Sequence, residues 1–198
     1  MSEVGTVIRN FIADYLNVAK RGALKPDWAL MGPGFTNLDE NPNAQAETRA
    51  YISDRSTSSI IRGYEAQFPY STDIMVDQRA VMAIYSVGRN QKQATGAEKD
   101  YVRTEVFLPT GIEDVHPARM FRVAIEVSDT SGEGTQIVES SGNLNQVGNF
   151  IPGVFNITTL EFTEGTYFAN EPDVLVVSVE GQTIRLLDGL FLEANVTP

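Results

Sequence analysis

Along residues 119–127, large apolar side chains alternate with charged or small side chains that solvent can cover. The apolar set is Phe121, Val123, Ile125 and Val127, and the set between them contains Arg122, Ala124 and Glu126. Because successive side chains of a β-strand point to opposite faces, this period of two predicts a strand with one face in a core and one face in water.

Further segments with strand-like composition or alternation are separated by turn residues. They are 11–19, 28–35, 60–70, 101–108, 135–144, 154–163, 174–179 and 183–192. Within 60–70, we assign Tyr64 and Phe68 to the core for their large apolar area. Between the last two segments, Gly181 is expected to provide the positive φ of a tight hairpin turn.

One segment, 76–88, has the period of a helix instead. Val81, Ile84 and Tyr85 fall on one side, with Asp77 in the N-cap position and Gly88 in the C-cap position. Many strands with one helix predict a mainly β fold, an antiparallel sandwich or barrel-like sheet with a single flanking α-helix over about 76–88.

The chain divides by composition into one main domain and a tail. Residues 1–163 form the β domain, with an N-terminal arm over 1–10 and a long polar loop over 36–57. Loops of that length are usually functional or disordered. Residues 164–198 are an acidic C-terminal extension or a closing pair of strands, since 161–198 contain seven acidic residues and one basic residue.

The charge and the cysteine content exclude several classes of protein. The formal net charge is −11 and there is no cysteine. A chain this acidic is repelled by a nucleic-acid backbone, and disulfides, thiolate metal sites and cysteine nucleophiles are excluded. No signal-peptide pattern and no apolar run of about 20 residues is present, which predicts a protein that stays in the cytoplasm where it is made.

No group of residues predicts catalysis or a bound cofactor. The single histidine, His116, precedes a proline and has no triad pattern around it. The strand carboxylates Glu65, Glu105 and Glu126 are better explained as a solvated face than as an acid–base pair. We therefore predict that the protein is not an enzyme and has no cofactor or metal.

The order of short segments resembles that of the major tail tube proteins of long-tailed bacteriophages. The matching pieces are WALMGPGFTNL (28–38), ENP (40–42), YISD (51–54), GYEAQFP (63–69), GRN (88–90), DYVR (100–103), the strand 119–128 and GNLNQVG (142–148). The resemblance covers roughly residues 10–163, and 164–198 have no counterpart in it.

The resemblance implies a structural virion protein. Its subunits would form rings, normally hexameric, that stack into the tail tube, a conduit with an acidic bore through which DNA is ejected. It implies self-association and contacts with tape measure, tail terminator and distal tail proteins. It implies no membrane contact and no specific DNA binding. The protein would be assembled in the host bacterial cytoplasm and located in the virion tail.

Two sets of residues follow from combining this resemblance with the period of two. The residues expected to line the bore are Glu65, Gln67, Arg103, Glu105, Arg122, Glu126 and Glu139. Those expected to contact the next ring are Asn37, Asp39, Glu40, Asn41, Asn43, Glu47, Arg49 and Asp54. Two alternatives stay open, a non-enzymatic β-sandwich binding module and the tube protein of a contractile tail or related injection device.

Overall fold

The computed structural model describes residues 7–50, 52 and 56–192. The chain is mainly β, with 53% strand and 9% helix, antiparallel sheets and a single α-helix in the described part. The predicted fold class is therefore confirmed. Of the expected arm over 1–10, residues 1–6 lie outside the described residues, and a short 3-10 helix spans Arg9–Phe11.

The strands and the helix have the following bounds. They are β1 (Ile12–Asn17), β2 (Trp28–Leu30), β3 (Phe35–Leu38), β4 (Ala44–Arg49), β5 (Ser58–Tyr64), β6 (Gln67–Asp73), α1 (Arg79–Arg89), β7 (Glu98–Glu105), β8 (Val115–Ser131), β9 (Glu139–Gln146), β10 (Ile151–Asn156), β11 (Glu161–Glu164), β12 (Thr166–Phe168), β13 (Glu171–Val179), β14 (Gln182–Leu187) and β15 (Phe191–Leu192).

The chain forms two compact units. Of the described residues, unit 1 contains those within 7–33, 99–122 and 148–192, and unit 2 contains those within 34–98 and 123–147. The boundary falls inside the long strand β8, after Arg122, so the N-terminal half of β8 belongs to unit 1 and its C-terminal half to unit 2.

Unit 1 has two groups of strands, each with its own core. In the first, the order is β2-β1-β7-β8, and β8 also pairs with β10, which pairs with β11. The ring of Phe155 lies 4.7 Å from that of Tyr15 and meets Trp28 edge-on at 6.0 Å between centroids. These three aromatic residues cluster with Val102 and Ala118. Such pairs add about 0.5–1.5 kcal/mol each beyond the area that they bury.

The second group in unit 1 is the four-stranded sheet β12-β13-β14-β15. Its inner face packs against β8 and β10 through one apolar cluster of Val115, Val154, Leu175, Val177, Ile184 and Leu186. The β13–β14 turn has positive φ at Glu180 (50°) and Gly181 (81°), as two-residue hairpins require. The turn predicted at Gly181 is thus confirmed.

Unit 2 contains the strand order β8-β9-β6-β3 and the helix α1. One face of the sheet is buried through Phe68, Tyr70, Ile125 and Leu144, which are at most 5% exposed. The alternation predicted for 119–127 is confirmed at Phe121, Val123 and Ile125, which are all buried, while Arg122 and Glu126 are exposed.

The ends predicted for the helix are wrong. The helix begins at Arg79, with Gln78 rather than Asp77 in the N-cap position and no side-chain cap, and it ends at Arg89, with Asn90 rather than Gly88 in the C-cap position. Gly88 lies within the last turn, where an added Cβ would be only 2.8 Å from the Cβ of Val127. The glycine therefore allows the helix to approach β8 closely, which explains it better than a left-handed cap does.

The prediction of one strand over 60–70 is also wrong. The chain forms β5 and then β6, with residues 65 and 66 between them. Phe68 is fully buried as expected, but Tyr64 is 57% exposed, because among the described strands β5 pairs with β4 alone and not with the main sheet of unit 2.

Tyr70 is expected to make unit 2 less stable as the pH becomes alkaline. Its hydroxyl donates to the backbone carbonyl oxygen of Glu126 at 3.0 Å. Burial, with a smaller contribution from the Glu126 carboxylate, raises the pKa of Tyr70 well above its usual range. The folded state therefore holds this proton more tightly than the unfolded state. The stabilisation that Tyr70 gives the folded state is therefore complete below about pH 10, the pKa of tyrosine in an unfolded chain, and it declines as the pH rises above that value.

We expect Tyr70→Phe to lower the free energy of unfolding by about 1–2 kcal/mol at pH 7, through the lost hydrogen bond. Between about pH 10 and pH 12 the variant should lose stability less steeply than the parent, by up to about 1.4 kcal/mol per pH unit. Urea denaturation across this range measures both effects. The exposed Tyr64→Phe is the control and should leave the profile unchanged; equal slopes for Tyr70→Phe and parent would contradict the assignment.

Candidate assembly surfaces

The described residues contain no group of three or more His, Cys, Asp or Glu side chains placed to hold a metal ion. His116 lies in β8, and its Nδ1 is 3.0 Å from the carbonyl oxygen of Leu108. In the part of the chain that the structure covers, no helix is long and apolar enough to cross a membrane. The polar surfaces of the sheets are the remaining candidates for function.

The solvent-facing side of the unit 2 sheet is polar and acidic. Register places Asn143 between Glu126 on β8 and Pro69 on β6, and Asn145 between Ala124 and Gln67. Asp73 and Glu139 are likewise opposite each other. The carboxylates on this side, which we name the acidic face, are Asp73, Glu126, Asp129 and Glu139. The unit 2 parts of its strands contain no lysine or arginine.

Local hydrogen bonds hold the acidic face in place. The side-chain amide of Asn145 donates to Glu126 at 2.9 Å, and the hydroxyl of Ser128 donates to the other carboxylate oxygen at 3.3 Å. Between Val127 and Asp129 the register shifts by one residue, so that Asp129 stands opposite Ser141. This bulge brings Asp129 to the same side as Glu126, although the two are three residues apart.

Three of the residues predicted to line a bore come together on the acidic face, namely Gln67, Glu126 and Glu139. Glu65 is exposed at the β5–β6 connection, where Gln45 donates to its carboxylate at 3.4 Å. Arg122 is exposed in unit 1 and forms a 3.0 Å ion pair with Asp100.

The expectation of an aqueous face is wrong for Arg103 and Glu105. Both are buried in unit 1, at 4% and 7% exposure. The Arg103 guanidinium lies 2.8 Å from the carboxylate of Asp14 on β1, and Glu105 accepts from Arg119 at 3.1 Å. Both faces of β7 are covered, so alternation cannot separate a core side from a water side. Buried charges are paired because an unpaired charge is costly to desolvate.

The predicted loop over 36–57 is in part regular structure. β3 pairs with β6, so Asn37 belongs to the sheet of unit 2, and Asn41 forms an isolated bridge to Gln67. Asn43 has a positive φ of 49° just before β4. The prediction of a single long loop is therefore wrong, because much of this segment forms the edge strand of a sheet and one strand of a hairpin.

β4 and β5 form a separate two-stranded sheet that is exposed on both faces. We name it the projecting hairpin. Ile60 and Ile61 are each 55% exposed although they belong to opposite faces of β5. Glu47 on β4 forms ion pairs with Arg49 and with Arg62. A two-stranded sheet is at best marginally stable in water, so exposed apolar residues on both of its faces are typical of a surface completed by a partner.

The residues predicted to contact a neighbouring ring are therefore divided. Glu47 and Arg49 belong to the projecting hairpin, whereas Asn37, Asp39, Glu40, Asn41 and Asn43 precede it, and Asp54 lies outside the described residues. Sequence reasoning missed Ile60, Ile61 and the carboxylates Asp73 and Asp129. In β6 the buried residues Phe68, Tyr70 and Thr72 alternate with residues of the opposite face. Asp73 is next in that alternation, so the sequence could have assigned it to the acidic face.

No family model matches this chain, and no curated protein matches it in sequence.

Proposed function

We propose that this protein is a structural subunit that polymerises as stacked rings, six-membered in the manner of the family that it resembles, into the tail tube of a bacteriophage. The resemblance in the order of sequence segments suggests the class of assembly. The projecting hairpin is the observation that carries the proposal, because it is an element whose apolar side chains lack cover in the described chain.

Self-association would complete the hairpin. Its two strands offer unpaired backbone groups at the outer edges and an isoleucine on each face, so a neighbouring copy can add both hydrogen bonds and apolar burial. Fully burying an exposed isoleucine is worth about 1.5–3 kcal/mol, and since Ile60 and Ile61 are each 55% exposed, a partner that covers them adds about half of that for each side chain. Around a closed ring the contribution is repeated at every interface.

The acidic face suits the wall of a conduit for DNA. Four carboxylates, with no lysine or arginine on the unit 2 parts of the same strands, repel a phosphate backbone, so a polyanion passes without binding. Repeating the face around a ring would give a continuous negative field.

We therefore expect that lysine at positions 126 and 139 changes the behaviour of the tube toward DNA. The double variant Glu126→Lys and Glu139→Lys should assemble like the parent, since both side chains are exposed. Short duplex DNA should then be retained by the variant tubes at 50 mM salt and released at 500 mM, whereas parent tubes retain none. Glu164→Lys with Glu180→Lys, which makes the same charge change in unit 1, is the control; equal retention by both would place the acidic face outside the bore.

A pelleting assay tests polymerisation itself. Protein at increasing concentration is centrifuged at high speed, and the concentration left in the supernatant is measured. A polymer predicts a plateau at a critical concentration, whereas a monomeric binding module predicts a supernatant that rises in proportion to the total.

A further inference from the structure

The two faces of the projecting hairpin differ in charge. On β4, period two separates three uncharged residues from a set that includes both charged residues of the strand: the first set is Ala44, Ala46 and Thr48, and the second is Gln45, Glu47 and Arg49. Residues that are opposite each other in an antiparallel pair share a face. The register therefore adds Ile61, opposite Ala46, to the first face and Ile60, opposite Glu47, to the second. We name them the neutral face and the charged face.

A β-bulge makes this separation sharper. The register shifts by one residue at Arg62, which is the extra residue on β5. Tyr64, beyond the bulge, is opposite Ala44 and therefore belongs to the neutral face. Strict alternation along β5 would instead have grouped Tyr64 with Ile60. Arg62 forms an ion pair with Glu47 and so belongs to the charged face.

The neutral face exposes apolar surface without any charged side chain. Ile61 is 55% exposed and Tyr64 is 57% exposed. The other residues of this face have short side chains, and they are Ala44, Ala46, Thr48 and Ser59. Short side chains allow another surface to approach closely, and no charge has to lose its water when it does. These properties are typical of the buried centre of a protein interface.

The charged face suits contact with water. Glu47 is 2.6 Å from Arg49 and is also paired with Arg62. The three side chains are 38% to 55% exposed, so water solvates these ion pairs. An apolar surface laid over this face would desolvate all three charges, which costs more than the added burial of Ile60 contributes.

The charge of the whole chain makes the neutral face suitable for contact with a second copy. Each copy has a formal net charge of −11, so two copies repel each other wherever their acidic surfaces meet. At the neutral face a copy can be touched without bringing carboxylates together, and the contact adds apolar burial at the same time.

We propose that the projecting hairpin contacts a second copy of this chain through its neutral face, with Ile61 and Tyr64 buried against an uncharged surface of that copy. The charged face lies at the rim of the contact, where water still reaches its ion pairs and part of Ile60. The inference rests on the proposed function, because it assigns the side of the hairpin on which the assembly contact is made.

The two isoleucines form a matched pair for the first test, since they are adjacent in β5 and each is 55% exposed. In the pelleting assay we expect Ile61→Asp to raise the critical concentration at least about 30-fold and Ile60→Asp at most about threefold. Tyr64→Asp should act like Ile61→Asp. Circular dichroism establishes that the variants are folded. Equal effects of the two isoleucine variants, or a larger effect of Ile60→Asp, would overturn the proposal.

A second test does not depend on tube formation. In this cysteine-free chain, two adjacent exposed serines belong to opposite faces: Ser59, opposite Thr48, to the neutral face and Ser58, opposite Arg49, to the charged face. Ser59→Cys and Ser58→Cys are labelled with a maleimide at low and high protein concentration, and sedimentation velocity measures the size of the assembly. On association we expect the labelling of Ser59→Cys to slow at least about tenfold and that of Ser58→Cys to change less than about threefold.

The outcomes separate this contact from the proposed function. Tubes in which the two cysteines react at equal rates would refute the contact and leave the proposed function intact. Protection confined to Ser59→Cys, in oligomers that are not tubes, would support the contact and refute the proposed function. Subunits that stay monomeric at every concentration would overturn both.

Discussion

Replacing Ile60 and Ile61 with aspartate is expected to abolish polymerisation while the subunit stays folded. Both side chains are 55% exposed in the projecting hairpin, so the substitutions remove little burial from the isolated chain. In an assembly they would place two charges in an apolar contact, which costs several kcal/mol per interface. We expect the critical concentration in the pelleting assay to rise at least about 100-fold, since every 1.4 kcal/mol is a factor of ten.

A matched control is Ile137→Asp, which introduces one charge at a 65% exposed isoleucine of unit 2 outside the hairpin. It should pellet like the parent. Thermal unfolding of the double variant should remain within a few degrees of the parent. If the Ile60 and Ile61 variant polymerises at the parental concentration, the hairpin is not an assembly contact.

Asp14→Asn is expected to produce the largest loss of stability in unit 1. The Asp14 side chain is 1% exposed and Arg103, 2.8 Å away, is 5% exposed. The same carboxylate accepts from the hydroxyl of Tyr101 and forms an ion pair with Arg9. Removing the negative charge leaves a buried guanidinium without this counter-charge, a change that typically costs 3–5 kcal/mol, or about 4 kcal/mol here. Urea denaturation at pH 7 measures the change.

Arg9→Ala provides the contrast on the same carboxylate. The Arg9 side chain is 49% exposed and water screens its charge, so its loss should cost no more than about 1 kcal/mol. Asp14 keeps the hydrogen bond from Tyr101 and the pair with Arg103. Equal losses for Arg9→Ala and Asp14→Asn would show that burial of the Arg103 pair does not determine the stability.

Alternation could be read from the sequence where one face of a strand meets water. In β8 the apolar side chains Phe121, Val123 and Ile125 share the buried face, and the charges of Arg122 and Glu126 are exposed. In β7 the same reading failed because Arg103 and Glu105 are buried by pairing with Asp14 and Arg119. Those partners are distant in sequence, and no local pattern reveals them.

The candidate assembly surfaces were only partly predictable for similar reasons. Gln67, Glu126 and Glu139 could be assigned to a polar face from period two alone. Asp129 joins them through a one-residue shift of register, which the sequence does not reveal. The projecting hairpin was hidden because its apolar residues suggested a core strand, whereas Tyr64 and the isoleucines before it are exposed.

Electron microscopy of the purified protein, concentrated above the plateau of the pelleting assay, tests the central proposal most directly. We predict long hollow tubes of uniform diameter built from stacked rings, with the acidic face toward the bore in the three-dimensional reconstruction. Dispersed single particles at every concentration, or filaments without a central channel, would contradict it.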